Sequence, residues 1–174
     1  LVDITARKKA ESYLEYLGKH DVLTQLRNRA FYTEELNRLS RKGPWPLSVI
    51  AIDMNGLKGV NDDHGHAAGD AMLRRIGEVL TKAVDAPACA ARIGGDEFMV
   101  LLPGTDERGA QAMQERILSQ FYPGQTIHLA MGHACGREGA SMEAVVHRAD
   151  QAMYAEKMRF YAGRAQDRRV DSML

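Results

Sequence analysis

The chain has 174 residues, 45% of them hydrophobic, and its 23 basic residues balance its 23 acidic ones. This length suits one domain with a short additional element, while the balanced charge excludes a general attraction to nucleic acid or anionic membranes. No apolar run approaches the ~18 residues of a membrane span, and the charged opening is not a signal peptide. Because residue 1 is not Met, we expect a segment of a longer protein. With no spaced cysteine framework, Cys89 and Cys135 are typical of reduced core residues in the cytoplasm.

The first predicted element is a helix over residues 5–19, in which Ala10, Leu14 and Leu17 form one apolar stripe among charged residues. Such a helix either caps the domain or belongs to a coiled-coil connector from an upstream domain. The stripe is too short to prove a coiled coil, but we interpret residues 1–19 as a connector.

A second helix is predicted over 29–41, and the GPWP tetrapeptide ends it. Residues 47–53 are apolar and partly β-branched, which indicates a buried strand ending at Asp53. The glycine-rich polar stretch 55–70 predicts a loop with at most one short helical turn. Apolar residues then recur at helical spacing over 70–84.

The next feature is a predicted β-hairpin, in which the apolar stretches 88–93 and 98–102 flank the sequence GGDE. The paired glycines predict a tight primed turn with positive φ angles. Two carboxylates follow directly at the tip, a composition that suits a divalent cation holding a phosphate chain.

The last predicted elements are a helix over 105–120 capped by Thr105, a strand over 126–134 and a helix over about 142–160 capped by Ser141. A hairpin set between helix-connected strands predicts an α+β fold, an α/β sandwich. We expect its central, mostly antiparallel sheet to have a ferredoxin-like or polymerase-palm βααββαβ core.

Three carboxylates, those of Asp53, Asp96 and Glu97, come at the ends of strands that neighbour each other in such a sheet. They would repel one another unless a cation neutralised them. The alternative is that Asp53 caps a loop and the acidic pair is a solvated turn. We favour a Mg²⁺ or Mn²⁺ site.

The stretch after Asp53 has the composition of a phosphate site, because Gly56 and Gly59 allow close backbone approach and Lys58 provides a point charge. An Asp and an Asn together, here Asp70 and Asn61, can match the donors and acceptors of a guanine edge. On the last helix, Lys157 either reaches a terminal phosphate or is a solvated surface lysine.

Four sequence blocks, in order, resemble the GGDEF family, the bacterial diguanylate cyclase domain. The resemblance spans residues 20–160, and we place the domain at 20–165 with a C-terminal tail at 166–174. The blocks are DVLTQLRNRAF at 21–31, IDMNGLKGVNDDHGHAAGD at 52–70, RIGGDEF at 92–98 and ADQAMYAEK at 149–157.

The resemblance implies a reaction and a role for each matching residue. Two GTP would be joined into cyclic di-GMP and two pyrophosphates by a homodimer of such domains, each holding one GTP with Mg²⁺ or Mn²⁺. The implied metal ligands are Asp53, Asp96, the Met54 carbonyl and Glu97, which is either a ligand or the base for the 3′-hydroxyl. The implied catalytic and substrate-binding residues are Asp96, Glu97, Lys58, Asn61, Asp70, Lys157, Gly56 and Leu57.

Several positions depart from the family pattern. The phosphate-binding Arg that usually follows four residues after the lysine is Tyr161 here, and Arg159 or Arg164 are the candidates to replace it. The product-inhibition motif RxxD would fall at 85–88, which reads DAPA. We therefore predict no feedback binding of cyclic di-GMP there. The remaining departures are Gln25 for Gly, Asn55 for Asp and Leu57 for an aromatic residue.

The opening sequence LVDITARKKAESYLEYL resembles the exit of a PAS sensor domain into a connector helix. This implies an upstream PAS-like sensor in the same chain, with dimerisation as the control point. An EAL phosphodiesterase domain downstream is compatible with this chain. A non-catalytic GTP-binding GGDEF module that regulates a neighbouring domain is the alternative to an active cyclase.

Overall fold

The computed structural model describes residues 4–121 and 127–173, and it contains six helices and four strands within them. The helices are α1 (Ile4–Lys19), α2 (Arg29–Lys42), α3 (Leu57–His64), α4 (His66–Ala83), α5 (Glu107–Ser119) and α6 (Met142–Met173). The strands are β1 (Leu47–Asn55), β2 (Cys89–Arg92), β3 (Glu97–Pro103) and β4 (His128–Gly136). None of the helices in these ranges is long and apolar enough to cross a membrane.

The strands form one sheet in the order β2-β3-β1-β4, and every neighbouring pair is antiparallel. Strand β1 lies inside the sheet and all nine of its residues are buried. Its side chains alternate between two cores. Ile50 and Ile52 belong to the core that includes residues of α4 and α5, whereas Val49 and Ala51 pack with residues of α2 and α6. The predicted α+β fold with a βααββαβ core is confirmed.

The predicted loop over 55–70 is wrong, because α3 and the first turn of α4 occupy most of it. Gly56 and Gly65 have positive φ angles of 79° and 85°, and they lie at the boundaries of the two helices rather than inside them. These glycines therefore mark helix boundaries: Gly56 precedes α3, and Gly65 separates α3 from α4. They do not mark a long unstructured segment.

The predicted hairpin is confirmed, but its tight primed turn is wrong. Four residues separate β2 from β3, and the amides of Ile93 and Gly94 both donate to the carbonyl of Glu97, at 2.8 and 3.4 Å. Neither Gly94 nor Gly95 is among the positive-φ residues in the described ranges. The four-residue loop turns without positive φ angles. The two glycines therefore contribute by adding no side chain next to the carboxylates.

Three further boundaries differ from prediction. Helix α5 is capped by Asp106, whose Oδ1 accepts from the amide of Gly109 at 2.9 Å, rather than by Thr105. Strand β4 begins at His128, and residue 126 of the predicted strand lies outside the described residues. Helix α6 continues well beyond residue 160, so the predicted boundary before the tail falls inside it. The cap at Ser141 is confirmed, since the amide of Ala144 donates to its Oγ at 3.3 Å.

Helix α1 contains no buried residue, and Leu14 of its apolar stripe is 66% exposed. Its last turn is held to the domain by the Nδ2 of Asn28, which donates to the carbonyl of Leu17 at 3.3 Å. A helix that only capped the domain would bury its stripe. Ala10 and Leu14 of the stripe are exposed and Leu17 is half-buried, which favours the connector interpretation, and this stays a prediction.

Candidate active site

The carboxylates of Asp53, Asp96 and Glu97 converge at one end of the sheet. Asp53 pairs with Glu97 across β1 and β3, and the amide of Met54 donates to the carbonyl of Asp96 at 2.9 Å. Carboxylate oxygens of the three residues lie within 4.8 Å of one another. Oxygen donors of this charge and spacing are the set that a hard divalent cation prefers.

Asp53 is the buried member of this cluster, with 5% of its surface exposed. Its Oδ1 has no hydrogen-bond partner among the described residues. Burial raises the pKa of Asp53 to about 6, the hydrogen bond from Lys157 opposes this shift, and the charge of Asp96 adds to it. A buried acceptor without a partner costs free energy, so the residues present fit a bound cation.

Lys157 reaches this cluster from α6. Its Nζ donates to Oδ2 of Asp53 at 3.1 Å. Burial lowers the pKa of Lys157, but the hydrogen bond and charge of Asp53 outweigh burial, and the net pKa is raised. The lysine therefore carries its charge into the carboxylate cluster, and the alternative of a solvated surface lysine is wrong.

The hairpin loop is held by Arg92, a residue to which the sequence assigned no role. Its Nη2 and Nε donate to the carbonyl of Gly95 at 2.8 and 3.2 Å. Its Nη1 lies 3.3 Å from both carboxylate oxygens of Asp21. Arg92 thus fixes the peptide that precedes Asp96 to the segment before α2, and Asp96 takes its position from this bridge.

Asp21 is prepared for this contact by its own turn. Its Oδ2 accepts from the amide and the hydroxyl of Thr24, at 2.9 and 2.7 Å. Burial raises the pKa of Asp21, but these two hydrogen bonds and the charge of Arg92 outweigh it, so the net pKa is lowered. The same turn places Gln25 at φ 61°, where the family pattern has glycine.

The predicted phosphate-binding residues lie at the start of α3. Gly56 adopts a left-handed conformation at the N-cap, and no side chain caps this end of the helix. Lys58 is exposed in the first turn, while Leu57 is half-buried and packs against the core of α4 and α5. The amides of this turn have no intrahelical acceptor, which suits an anion.

The predicted guanine-binding residues both lie near the crossing of α3 and α4. Asn61 lies against Gly69, and a Cβ atom at Gly69 would come within 1.9 Å of its Oδ1. That oxygen is buried and has no hydrogen-bond partner within the described ranges. Asp70, half-buried, follows Gly69 directly. The structure therefore brings Asn61 and Asp70 to the same crossing, with an acceptor left open.

Comparisons with known proteins identify the family of this chain. The family described as "Diguanylate cyclase, GGDEF domain" matches residues 18–160. An uncharacterized signaling protein of Caulobacter vibrioides is 38% identical over 89% of this chain, and the probable diguanylate cyclase DgcE of Escherichia coli is 32% identical over 89%. The chain spans only 21% and 15% of the length of these two relatives.

Among solved structures, the coiled coil and GGDEF domain of DgcB from Caulobacter crescentus, in complex with c-di-GMP, is similar with a TM-score of 0.78 and 26% identity. The alignment covers 89% of this chain and 88% of that one. The family match covers most of the chain and includes the carboxylate cluster, the α3–α4 crossing and Lys157. The chain therefore belongs to the GGDEF domain family.

Proposed function

We propose that this domain is a diguanylate cyclase, which condenses two GTP into cyclic di-GMP and two pyrophosphates in bacterial second-messenger signalling. The observation that carries the proposal is the cluster of Asp53, Asp96 and Glu97, whose carboxylate oxygens lie within 4.8 Å of one another. The open acceptor of Asn61 beside Asp70 supports guanine as the base.

The three carboxylates differ in burial, and this difference suggests which of them bind the metal and which acts as the base. Asp53 is buried and Asp96 half-buried, so both suit a permanent place around Mg²⁺ or Mn²⁺, with the Met54 carbonyl as a further ligand. When bound, the metal would neutralise charge that develops on the phosphates. Glu97 is exposed, which suits a base that takes the proton of an incoming 3′-hydroxyl.

The two nucleotides must come from two domains, because each domain has one such cluster within its described residues. In the condensation, the 3′-hydroxyl oxygen of one GTP forms a bond to the α-phosphorus of the other, and pyrophosphate leaves. The exposed stripe of α1, with Leu14, suits the pairing of two copies. We infer that an upstream PAS-like sensor controls this pairing.

The second candidate is a non-catalytic module that binds GTP and regulates a neighbouring domain. Two observations favour it. Tyr161 stands where the family has a phosphate-binding Arg, and Lys157 is engaged with Asp53. Both would weaken the hold on the triphosphate, so this candidate predicts GTP binding with no turnover.

The test is incubation of the chain with GTP and Mg²⁺ or Mn²⁺, followed by chromatography for cyclic di-GMP. The chain is assayed alone and as an enforced dimer, with a leucine zipper fused before α1. We expect product from the dimer and none from Asp96→Ala, whose circular dichroism should match the parent. GTP binding without product in the enforced dimer would refute the cyclase, and unchanged turnover in Asp96→Ala would refute its metal role.

A further inference from the structure

Helix α6 brings a second basic side chain, Arg164, to the end of β1. Arg164 lies two helical turns beyond Lys157 on the same face of the helix. Its guanidinium stacks on the ring of Phe160, 5.4 Å from the ring centroid. Its Nη1 lies 3.9 Å from the position that a Cβ atom would take at Gly56.

This position is electrostatically unfavourable for a cation. The N-terminus of α3, which begins next to Gly56, carries the positive end of the helix dipole. None of the described side chains caps it, and its first turn contains no acidic residue. Within the ranges that the structure describes, Arg164 makes no ion pair that would compensate. An anion between the guanidinium and the free amides would reverse the sign of this interaction.

A cavity of about 550 Å³ opens at this place, and a third group in it has an unmet hydrogen bond. Gly56, Arg164 and Asn55 all line the cavity. The Asn55 side chain is 5% exposed, and its Oδ1 has no hydrogen-bond partner in the described part of the chain. The open Asn55 oxygen indicates that a polar ligand enters this cavity, and the guanidinium with the free backbone amides indicates that the ligand carries an anionic group.

We propose that Arg164 binds the triphosphate of GTP together with the first-turn amides of α3. This inference rests on the proposed function. Because Lys157 and Arg164 are separated by roughly 10 Å along α6, a chain of phosphates can meet both where a single phosphate cannot. Arg159 does not take this role, because it forms an ion pair with Glu156 at 2.6 Å and is not among the described residues that line this cavity.

The test is isothermal titration of the chain with a non-hydrolysable GTP analogue and with GMP, both in Mg²⁺. Arg164→Gln should weaken binding of the analogue about tenfold or more, because it removes hydrogen bonds to a charged group. GMP binding should not change, and Arg164→Lys should recover part of the loss. Arg159→Gln is the matched control on the same helix and should bind both ligands like the parent.

Three results would overturn the inference in different ways. If the parent binds the analogue and Arg164→Gln binds it equally, Arg164 is not a phosphate contact, and the cyclase proposal stands. If the parent binds no analogue at all, the proposed function fails and this inference fails with it. An equal loss for GMP and the analogue would also contradict a phosphate contact. Arg164 is exposed, so the variants should fold, and circular dichroism checks this.

Discussion

The two sides of the site treat their polar groups in opposite ways. On the hairpin side, Arg92 joins the carbonyl of Gly95 to Asp21, and none of the described side chains there has a buried N or O atom without a partner. On the side where β1 runs into α3, the Oδ1 atoms of Asp53, Asn55 and Asn61 are buried and have no partner among the residues that the structure describes. Buried polar groups in folded proteins are normally hydrogen-bonded, so the open acceptors indicate where a ligand binds. The side held by Arg92, the bridged side, is already fixed before the ligand arrives.

The largest expected effect comes from breaking the bridged side. Arg92→Ala removes the side-chain bridge from the loop of Asp96 to Asp21 and leaves only the backbone hydrogen bonds of that loop. A displacement of about 1 Å costs on the order of a hundredfold in rate, so cyclic di-GMP formation should fall by about that factor. Arg137→Ala, which removes an exposed ion pair with Glu107, should leave the rate unchanged. An unaltered rate in Arg92→Ala would show that the bridge is only structural.

The next effect concerns the open side and depends on pH. Burial raises the pKa of Asp53 to about 6 in the folded protein, above the ~3.9 of an unfolded chain. Folding stability therefore falls as the pH rises from about 4 to above 6, because ionisation of Asp53 disfavours the folded state.

Asp53→Asn removes this cost. Without added metal, its free energy of unfolding should exceed that of the parent by about 2 kcal/mol at pH 8 and by about half of that at pH 5, measured by urea denaturation. The exposed Asp85→Asn is the control and should show no such pH trend. A gain of equal size at both pH values would contradict the assigned cause.

A smaller effect is expected at the α3–α4 crossing. A Cβ atom at Gly69 would come within 1.9 Å of Oδ1 of Asn61, so Gly69→Ala must displace that side chain. Affinity for a non-hydrolysable GTP analogue should fall about tenfold, the loss of one good hydrogen bond. Gly18→Ala in α1, where nothing lies within 4 Å, is the matched control. Retained affinity in Gly69→Ala would argue against base recognition by Asn61.

The smallest effect is a gain on the bridged side. Gln25 is exposed and adopts φ 61°, which costs an L-residue roughly 1 kcal/mol. Gln25→Gly should therefore raise the free energy of unfolding by about this amount in chemical denaturation. Gln111→Gly, at an exposed position inside α5, should lower it by a similar amount. A destabilised Gln25→Gly would mean that the turn carries no strain.

The same contrast explains what could be predicted from the sequence. Strand β1, the hairpin and the convergence of Asp53, Asp96 and Glu97 follow from apolar runs and strand ends, which are local patterns. The bridge from Arg92 to Asp21 joins residues 71 positions apart, and neither residue is unusual in its own segment. Helix α3 and the first turn of α4 could not be predicted, because the glycines that end helices and permit this crossing are also typical of loops. An acceptor without a partner has no local sequence pattern, because the absence of a donor is decided by the tertiary packing around it.

The ion pair between Lys157 and Asp53 has a consequence for the order of binding. Its ammonium is a resident counter-ion, so a divalent cation arriving alone must displace it from the carboxylate. A cation arriving with a nucleotide supplies phosphates to which the ammonium can transfer. We therefore expect Lys157→Met to bind free Mn²⁺ more tightly than the parent in a titration, and equal affinities would contradict this. In the parent, we therefore expect the metal and the nucleotide to bind together, because Lys157 leaves Asp53 for the phosphates as the cation takes its place.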